Sequence, residues 1–250
     1  MKTPVYLLPW LLTWSLPSYA QNTTLPSRFG MIVYPGFQTL DVYGPLDALF
    51  FLSLTHPIEL SIISYSLNPV STSIRNQTAI GSAWGTSVLP THTYANPPED
   101  LDVLLVPGGL GNRNLPDAHL DDLLEYLRTT YPDLQYLISI CTGSGLLARS
   151  GLLDGRSATT NKQAWWEMTP LGRKTNWIAK ARWVVDGNVW TASGVTAGID
   201  ALFAWMTEVY GEKEAAKGAD GIEHTRTTDP HNDPFADLAG AVDVPPVETV

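Results

Sequence analysis

Short, uninterrupted apolar runs alternating with segments of helical period predict an α/β protein whose central sheet is mostly parallel and covered on both faces. Three runs carry that reading: residues 28–34 (RFGMIVY), 101–106 (LDVLLV) and 135–140 (QYLISI). Each ends in a turn sequence of glycine, proline or small residues, and each is followed by a stretch with apolar side chains at every third or fourth position. At 250 residues, 44% hydrophobic and 16% charged, the chain is able to bury a sizeable core. No compositional break divides it, so one domain is expected over residues 28–215.

The first run closes at Pro35-Gly36. A helix is expected over residues 41–53, with Val42, Leu46, Leu49 and Phe50 near a 3.6 period and Pro45 tolerable in an early turn. Residues 58–65 and the region 70–80 are strand-like, whereas residues 81–94, rich in Ser, Thr and Pro, are expected to form a hairpin or an irregular excursion. After the second run and Pro107-Gly108-Gly109, residues 117–130 place Leu120, Leu123, Leu124 and Leu127 on one helical face. The third run leads into Cys141-Thr142-Gly143 and a short helix over residues 144–150, ended by Gly151. Gly187-Asn188 joins residues 181–186 to 189–192 in a hairpin pattern, and residues 196–210 form the last long helix. Residues 216–250 read as a polar, Pro-rich tail that either wraps the surface or is partly disordered.

Residues 1–20 are set apart from the fold. Lys2 precedes an apolar stretch over residues 5–16, and Ser18 and Ala20 supply small residues at the −3 and −1 positions of a cleavage site, so a secretory signal peptide cut after Ala20 is expected. About twelve apolar residues, interrupted by Pro9, fall short of the roughly 20 a spanning helix needs, so no stable membrane insertion is expected. Sequons at Asn22 and Asn76 agree with a secreted glycoprotein. Fifteen Lys+Arg against 25 Asp+Glu give a net charge of −10, which opposes nucleic acid as a partner. A single cysteine, Cys141, excludes an intramolecular disulfide and a multi-thiolate metal site.

Cys141 stands where an apolar run ends and a helix begins, with Ser139 two residues before it and Gly143 two after. A sharp strand-to-helix turn needs such small neighbours so that its central side chain projects at the carboxyl edge of the sheet, which makes Cys141 a candidate nucleophile. The helix terminus favours thiolate, so a depressed pKa is expected; the bland alternative is a small buried hydrophobe. Gly108 and Gly109, with Thr142, offer backbone N–H groups for an oxyanion-type pocket, or form only a strand-to-helix turn. Asp41 also has two readings. It caps the first helix, the commonest reason for Asp at such a place, or, if the first strand lies beside the elbow strand, its carboxyl exchanges a proton with the thiol or with substrate. Most of Trp165, Trp166, Trp177, Trp183 and Trp190 are expected in the core. His56, His92, His119, His224 and His231 read as peripheral.

Asp41-Val42-Tyr43-Gly44-Pro45, Pro107-Gly108-Gly109, Ile140-Cys141-Thr142-Gly143, Gly151-Leu152-Leu153-Asp154-Gly155-Arg156, Ala158-Thr159-Thr160 and Ser193-Gly194-Val195-Thr196-Ala197-Gly198-Ile199-Asp200 stand in the order seen in DJ-1/PfpI proteins. The chain resembles that superfamily over residues 28–210, and the first and last of these motifs look most like its isonitrile hydratase (isocyanide hydratase) branch. The resemblance implies a flavodoxin-like three-layer sandwich of the class I glutamine amidotransferase-like kind, a homodimer, and no metal or organic cofactor. It implies a lyase that hydrates a small-molecule isonitrile to an N-substituted formamide, with Cys141 as nucleophile, Asp41 as acid/base group and Thr142 as a neighbouring contact. Many relatives carry His after Ala-Thr-Thr. This chain has Asn161 there, which argues against a Cys-His protease or amidotransferase mechanism. Two other functions stay open: a cofactor-free glyoxalase or deglycase acting on reactive aldehydes, and a non-catalytic secreted redox-sensing or binding protein.

Overall fold

The computed structural model describes residues 24–74 and 79–247; the expected signal peptide with its cleavage site, Asn22 and Asn76 lie outside the described residues. The elements run β1 (Arg28–Ile32), α1 (Thr39–Ser53), β2 (Glu59–Ser64), the short strands β3 (Val70–Ser71), β4 (Ser87–Val88) and β5 (His92–Thr93), β6 (Val103–Val106) and α2 (Asp117–Thr130). There follow β7 (Tyr136–Ser139), α3 (Gly143–Arg149), β8 (Ser157–Ala158), α4 (Trp165–Met168), β9 (Asn176–Trp177), β10 (Trp183–Asp186), β11 (Val189–Ala192), α5 (Ala197–Tyr210), α6 (Glu212–Gly221) and α7 (Phe235–Ala239).

Seven strands form the central sheet in the order β10-β11-β7-β6-β1-β2-β5, parallel throughout except for the β10–β11 hairpin. From β1 the chain steps one way, through α1 to β2; from β6 it steps the other way, through α2 to β7. Right-handed crossovers then put α1 and α2 on opposite faces. The packing agrees, since α1 lies against α5 and α6 while α2 lies against α3. The α/β class, the mostly parallel sheet and the cover on both faces are thus as the sequence implies. β6, buried on both faces, is apolar at all four positions. The reversal of growth between β1 and β6 is a switch point, which leaves a crevice beyond the carboxyl ends of β1, β6 and β7. Register keeps those ends level, with Met31 beside Leu105 and Leu105 beside Ile138. At the opposite ends Asp102 ties the same strands together, accepting the N–H of Ser27 (2.8 Å), the N–H of Arg28 (2.9 Å) and Gln135 Nε2 (2.9 Å). Burial pushes this carboxyl up, but those hydrogen bonds and Arg28 outweigh it and hold it below the usual carboxylate range.

Several local expectations change. Among the described residues of the strand-like region 70–80, β3 alone is strand, because Thr72 and Ser73 turn their hydroxyls to the carbonyls of Thr86 (3.3 Å) and Trp84 (2.7 Å) and end the ladder. Trp165, Trp177, Trp183 and Trp190 are buried, whereas Trp166 is 58% exposed. His224 is half-buried against Phe203, with its ring 2.7 Å from Asp200 Oδ1. Residues 222–247 wrap the surface: Trp165 Nε1 donates to Val242 O (3.0 Å), Ala179 N to Asp243 Oδ1 (2.7 Å), and Trp177 pairs with Val244 in an antiparallel bridge. Among the described residues no helix is long and apolar enough to cross a membrane.

The passage from β7 into α3 leaves no room for a side chain at Gly143, where a Cβ would lie 2.2 Å from Val106 O. Gly143→Ala is therefore expected to cost about 3 kcal/mol or more, at the upper end for single substitutions. Urea unfolding measures it, and a wild-type midpoint would mean that the turn shifts freely.

Candidate active site

Cys141 lies just beyond β7, 6% exposed, with φ of +57°. A side chain in the left-handed region costs roughly 1–2 kcal/mol, so the surroundings must impose it. They do so from both sides of the residue. The Cys141 N–H is shared between the carbonyls of Ser193 (2.9 Å) and Ala192 (3.2 Å) at the end of β11. Its carbonyl accepts the hydroxyls of Ser144 (3.1 Å) and Thr160 (3.2 Å).

Asp41 does not cap its helix. The N-cap of α1 is Gln38, and Asp41 is the third helical residue, fully buried, with Oδ2 accepting the Gly108 N–H at 2.9 Å. Nor does β1 lie beside the elbow strand, since β6 intervenes. The carboxyl reaches the elbow because the β6 turn is bare: a Cβ on Gly108 would sit 2.5 Å from Thr142 N and 2.9 Å from Asp41 Oδ2. One glycine thickness separates the two sides of the site.

Burial pushes Asp41 up to about 7, against the opposing hydrogen bonds from Gly108 and from the Cys141 thiol. Burial, followed by the Asp41 charge, also pushes the thiol up; the Thr142 N–H and the Asn161 amide work the other way without prevailing. The expectation of a depressed thiol pKa is therefore corrected. A seven-residue helix that presents one N–H to the sulfur does not offset removal from water beside a carboxyl group. Tyr34, whose hydroxyl donates to Pro107 O (2.9 Å), is raised by burial and then by Asp41 and Cys141, which places it beside the pair.

The two turn amides point into the site but are engaged there. Gly108 N–H meets Asp41, and Gly109 N–H meets Thr142 Oγ1 at 3.1 Å. Asn112 Nδ2 donates to the same Thr142 oxygen and to Thr142 O, each at 3.0 Å. Accepting two hydrogen bonds leaves the Thr142 hydroxyl proton to donate. Asn112, 4% exposed, was not singled out by any motif or period; only its place in the loop after Gly108-Gly109 hinted at it. Asn161, which follows Ala158-Thr159-Thr160, stands on the other side of the thiol. Its Oδ1 accepts Ala164 N–H (3.1 Å), which leaves the amide nitrogen for the sulfur. Arg113 closes the rim, holding Glu167 (2.5 Å) and Gly109 O (3.3 Å).

Fold and site together define an α/β protein with a strained cysteine at the carboxyl edge of its sheet and a buried carboxyl beside it. The DJ-1/PfpI family model matches residues 28–208, and the chain belongs to that family. It is 34% identical to the isonitrile hydratase of Pseudomonas putida over 185 residues, 74% of this chain and 72% of that protein. A ThiJ/PfpI family protein from Pseudomonas syringae superposes with a TM-score of 0.64 at 27% identity, over 89% of this chain and 87% of that one. Drosophila melanogaster DJ-1beta shares the fold with a TM-score of 0.64 at 18% identity, over 80% of this chain and 100% of its own.

Because Asp41 ionises at 3.8 when unfolded and at about 7 when folded, the native state binds the extra proton between those values. Stability from this group is complete below about pH 4 and is lost as pH rises toward 7. Asp41→Asn, which keeps an acceptor for Gly108, is expected to melt several degrees above wild type at pH 8, with the gap closing toward pH 4. Calorimetry across that range checks it, and equal melting at pH 8 would refute the buried charge.

Proposed function

We propose that the protein hydrates an isonitrile to an N-substituted formamide, with Cys141 as nucleophile and Asp41 as the group that moves protons. The observation that carries this reading is the buried Asp41–Cys141 pair, in which a carboxyl pushed up to about 7 faces the single thiol of the chain. Access to a cysteine only 6% exposed also suits the slim, linear terminus of R–N≡C. In the carboxylate–thiol form Asp41 takes the thiol proton and passes it to the terminal carbon as sulfur bonds there, giving R–N=CH–S–Cys. Water adds to that carbon, one of its protons passing by way of Asp41 to nitrogen. The C–S bond then breaks, the second proton returns to sulfur, and R–NH–CHO leaves. One water is consumed and no oxidant or reductant is needed. Oδ2 is held by Gly108, so Oδ1, which has no well-formed hydrogen bond, is the oxygen left for these transfers. Developing charge on the adduct meets the Thr142 hydroxyl, the donor left over once Gly109 and Asn112 have taken its lone pairs.

Export after cleavage at Ala20 and association as a homodimer belong to the same proposal. The leader and sequons support the first and the family the second. Secreted material should begin at Gln21 on terminal sequencing; a Met1 start would end that part.

Purified protein offered alkyl and aryl isonitriles beside methylglyoxal is expected to yield formamides, followed by mass spectrometry; lactate instead of formamide would favour the glyoxalase reading. Cys141→Ser should abolish turnover while keeping the fold. Asp41→Asn should slow it by about 10²–10⁴-fold. Since the carboxylate form accepts the thiol proton, wild-type kcat/KM should rise with pH through about 7, and that limb should vanish in Asp41→Asn. A flat wild-type profile there would remove Asp41 from the mechanism.

A further inference from the structure

Asp233 belongs to Asp229-Pro230-His231-Asn232-Asp233-Pro234, the stretch of sequence least like a folded element, yet its side chain is 1% exposed. Taking a carboxylate out of water costs several kcal/mol and is offset only where pairing and hydrogen bonding are complete. Here they are complete. Oδ2 accepts the Ser193 hydroxyl (2.7 Å) and lies 3.3 Å from Lys162 Nζ, while Oδ1 accepts Phe235 N–H (3.0 Å). Lys162, equally buried, donates to Thr159 Oγ1 (2.7 Å), Thr160 O (3.1 Å) and Ala181 O (3.0 Å).

Both side-chain partners of Asp233 lead to the cysteine. Ser193 carries the carbonyl that accepts the Cys141 N–H, and Thr160, whose carbonyl Lys162 holds, donates its hydroxyl to the Cys141 carbonyl. Between Thr160 and Lys162 stands Asn161, the amide beside the sulfur. One carboxylate from the tail thus grips, at one remove, hydrogen bonds on each side of the strained residue and the side chain that faces its thiol. The tail is itself anchored just upstream, where Arg182 N–H donates to Pro230 O (2.6 Å) and Thr227 N–H to Asp200 Oδ1 (3.0 Å).

We propose that Asp233 is a positioning residue of the active site, holding the Cys141 elbow and Asn161 in register through Ser193 and Lys162, so that the C-terminal tail is part of the catalytic apparatus. The inference rests on Cys141 as the reacting group, whichever substrate it attacks.

Because the chain has one cysteine, its infrared S–H stretching band reports Cys141 alone. The test compares Asp233→Asn, Ser193→Ala and wild type in two readouts: the position of that band, and the rate of iodoacetamide alkylation at pH 8 well below the melting temperature. Asp102→Asn, which loosens the opposite end of the sheet, serves as a control for general destabilisation. Asp233→Asn should move the band and change the alkylation rate by about threefold or more, the lower range for coupling through a hydrogen-bond network. Asp102→Asn should leave the band in place. A folded Asp233→Asn with the wild-type band and rate would overturn the proposal. Should Asp233→Asn fail to fold, Ser193→Ala decides, since it cuts one arm and leaves the ion pair; an unmoved band there overturns it equally. If the band and rate change as expected while wild type turns over no isonitrile, the positioning role stands and the substrate reading falls.

Discussion

The approach of the Gly108 backbone to the Cys141 elbow is the constraint on which the rest of the site depends. A side chain at Gly108 would collide with Thr142 and with Asp41, so only glycine lets two elements on opposite sides of β6 share one buried volume. α1 delivers a carboxyl from one side, and the β7–α3 turn delivers a thiol from the other. The Gly108 amide is the physical bridge, bonded to Asp41 Oδ2 and packed on Thr142.

From that closeness follow the electrostatics. Neither group is solvated, so neither ionises readily, and the charge of Asp41 makes thiolate formation harder still. A cysteine read from its position at a helix terminus looks activated; in place it is a buried thiol held protonated beside a carboxyl group. In the reaction proposed above the pair acts together and no standing anion is required, and burial shows as a carboxyl kept protonated up to about pH 7. Asn161 supplies a neutral amide toward sulfur and so adds no further titrating group to the pair.

Strain at Cys141 requires the same precision from the backbone. A residue at φ of +57° persists only if its N–H and carbonyl are both fixed, and the groups that fix them come from β11, α3 and the segment after β8. The site is therefore assembled from five separated stretches of the chain around the carboxyl ends of β1, β6, β7 and β11.

The sequence by itself determined the elements whose pattern is local. The apolar runs of β6 and β7, the helical repeat of residues 117–130 and the small residues around Cys141 specify strand, helix and elbow without reference to the rest of the molecule. It also brought forward Asp41, Cys141, Thr142, Gly108 and Gly109 as the residues to watch. Strand order, burial and charge state were decided only by tertiary structure, because each depends on groups far apart in the chain. That β6 separates β1 from β7, that Asp41 bonds to Gly108 instead of capping α1, and that Asn112 anchors Thr142 are consequences of packing, which no local period encodes. The tail shows the difference most plainly. Its composition reads as solvated chain, yet Asp233 is drawn inside, because a buried ammonium and a buried hydroxyl, set in place by the folded domain, are satisfied by its carboxylate.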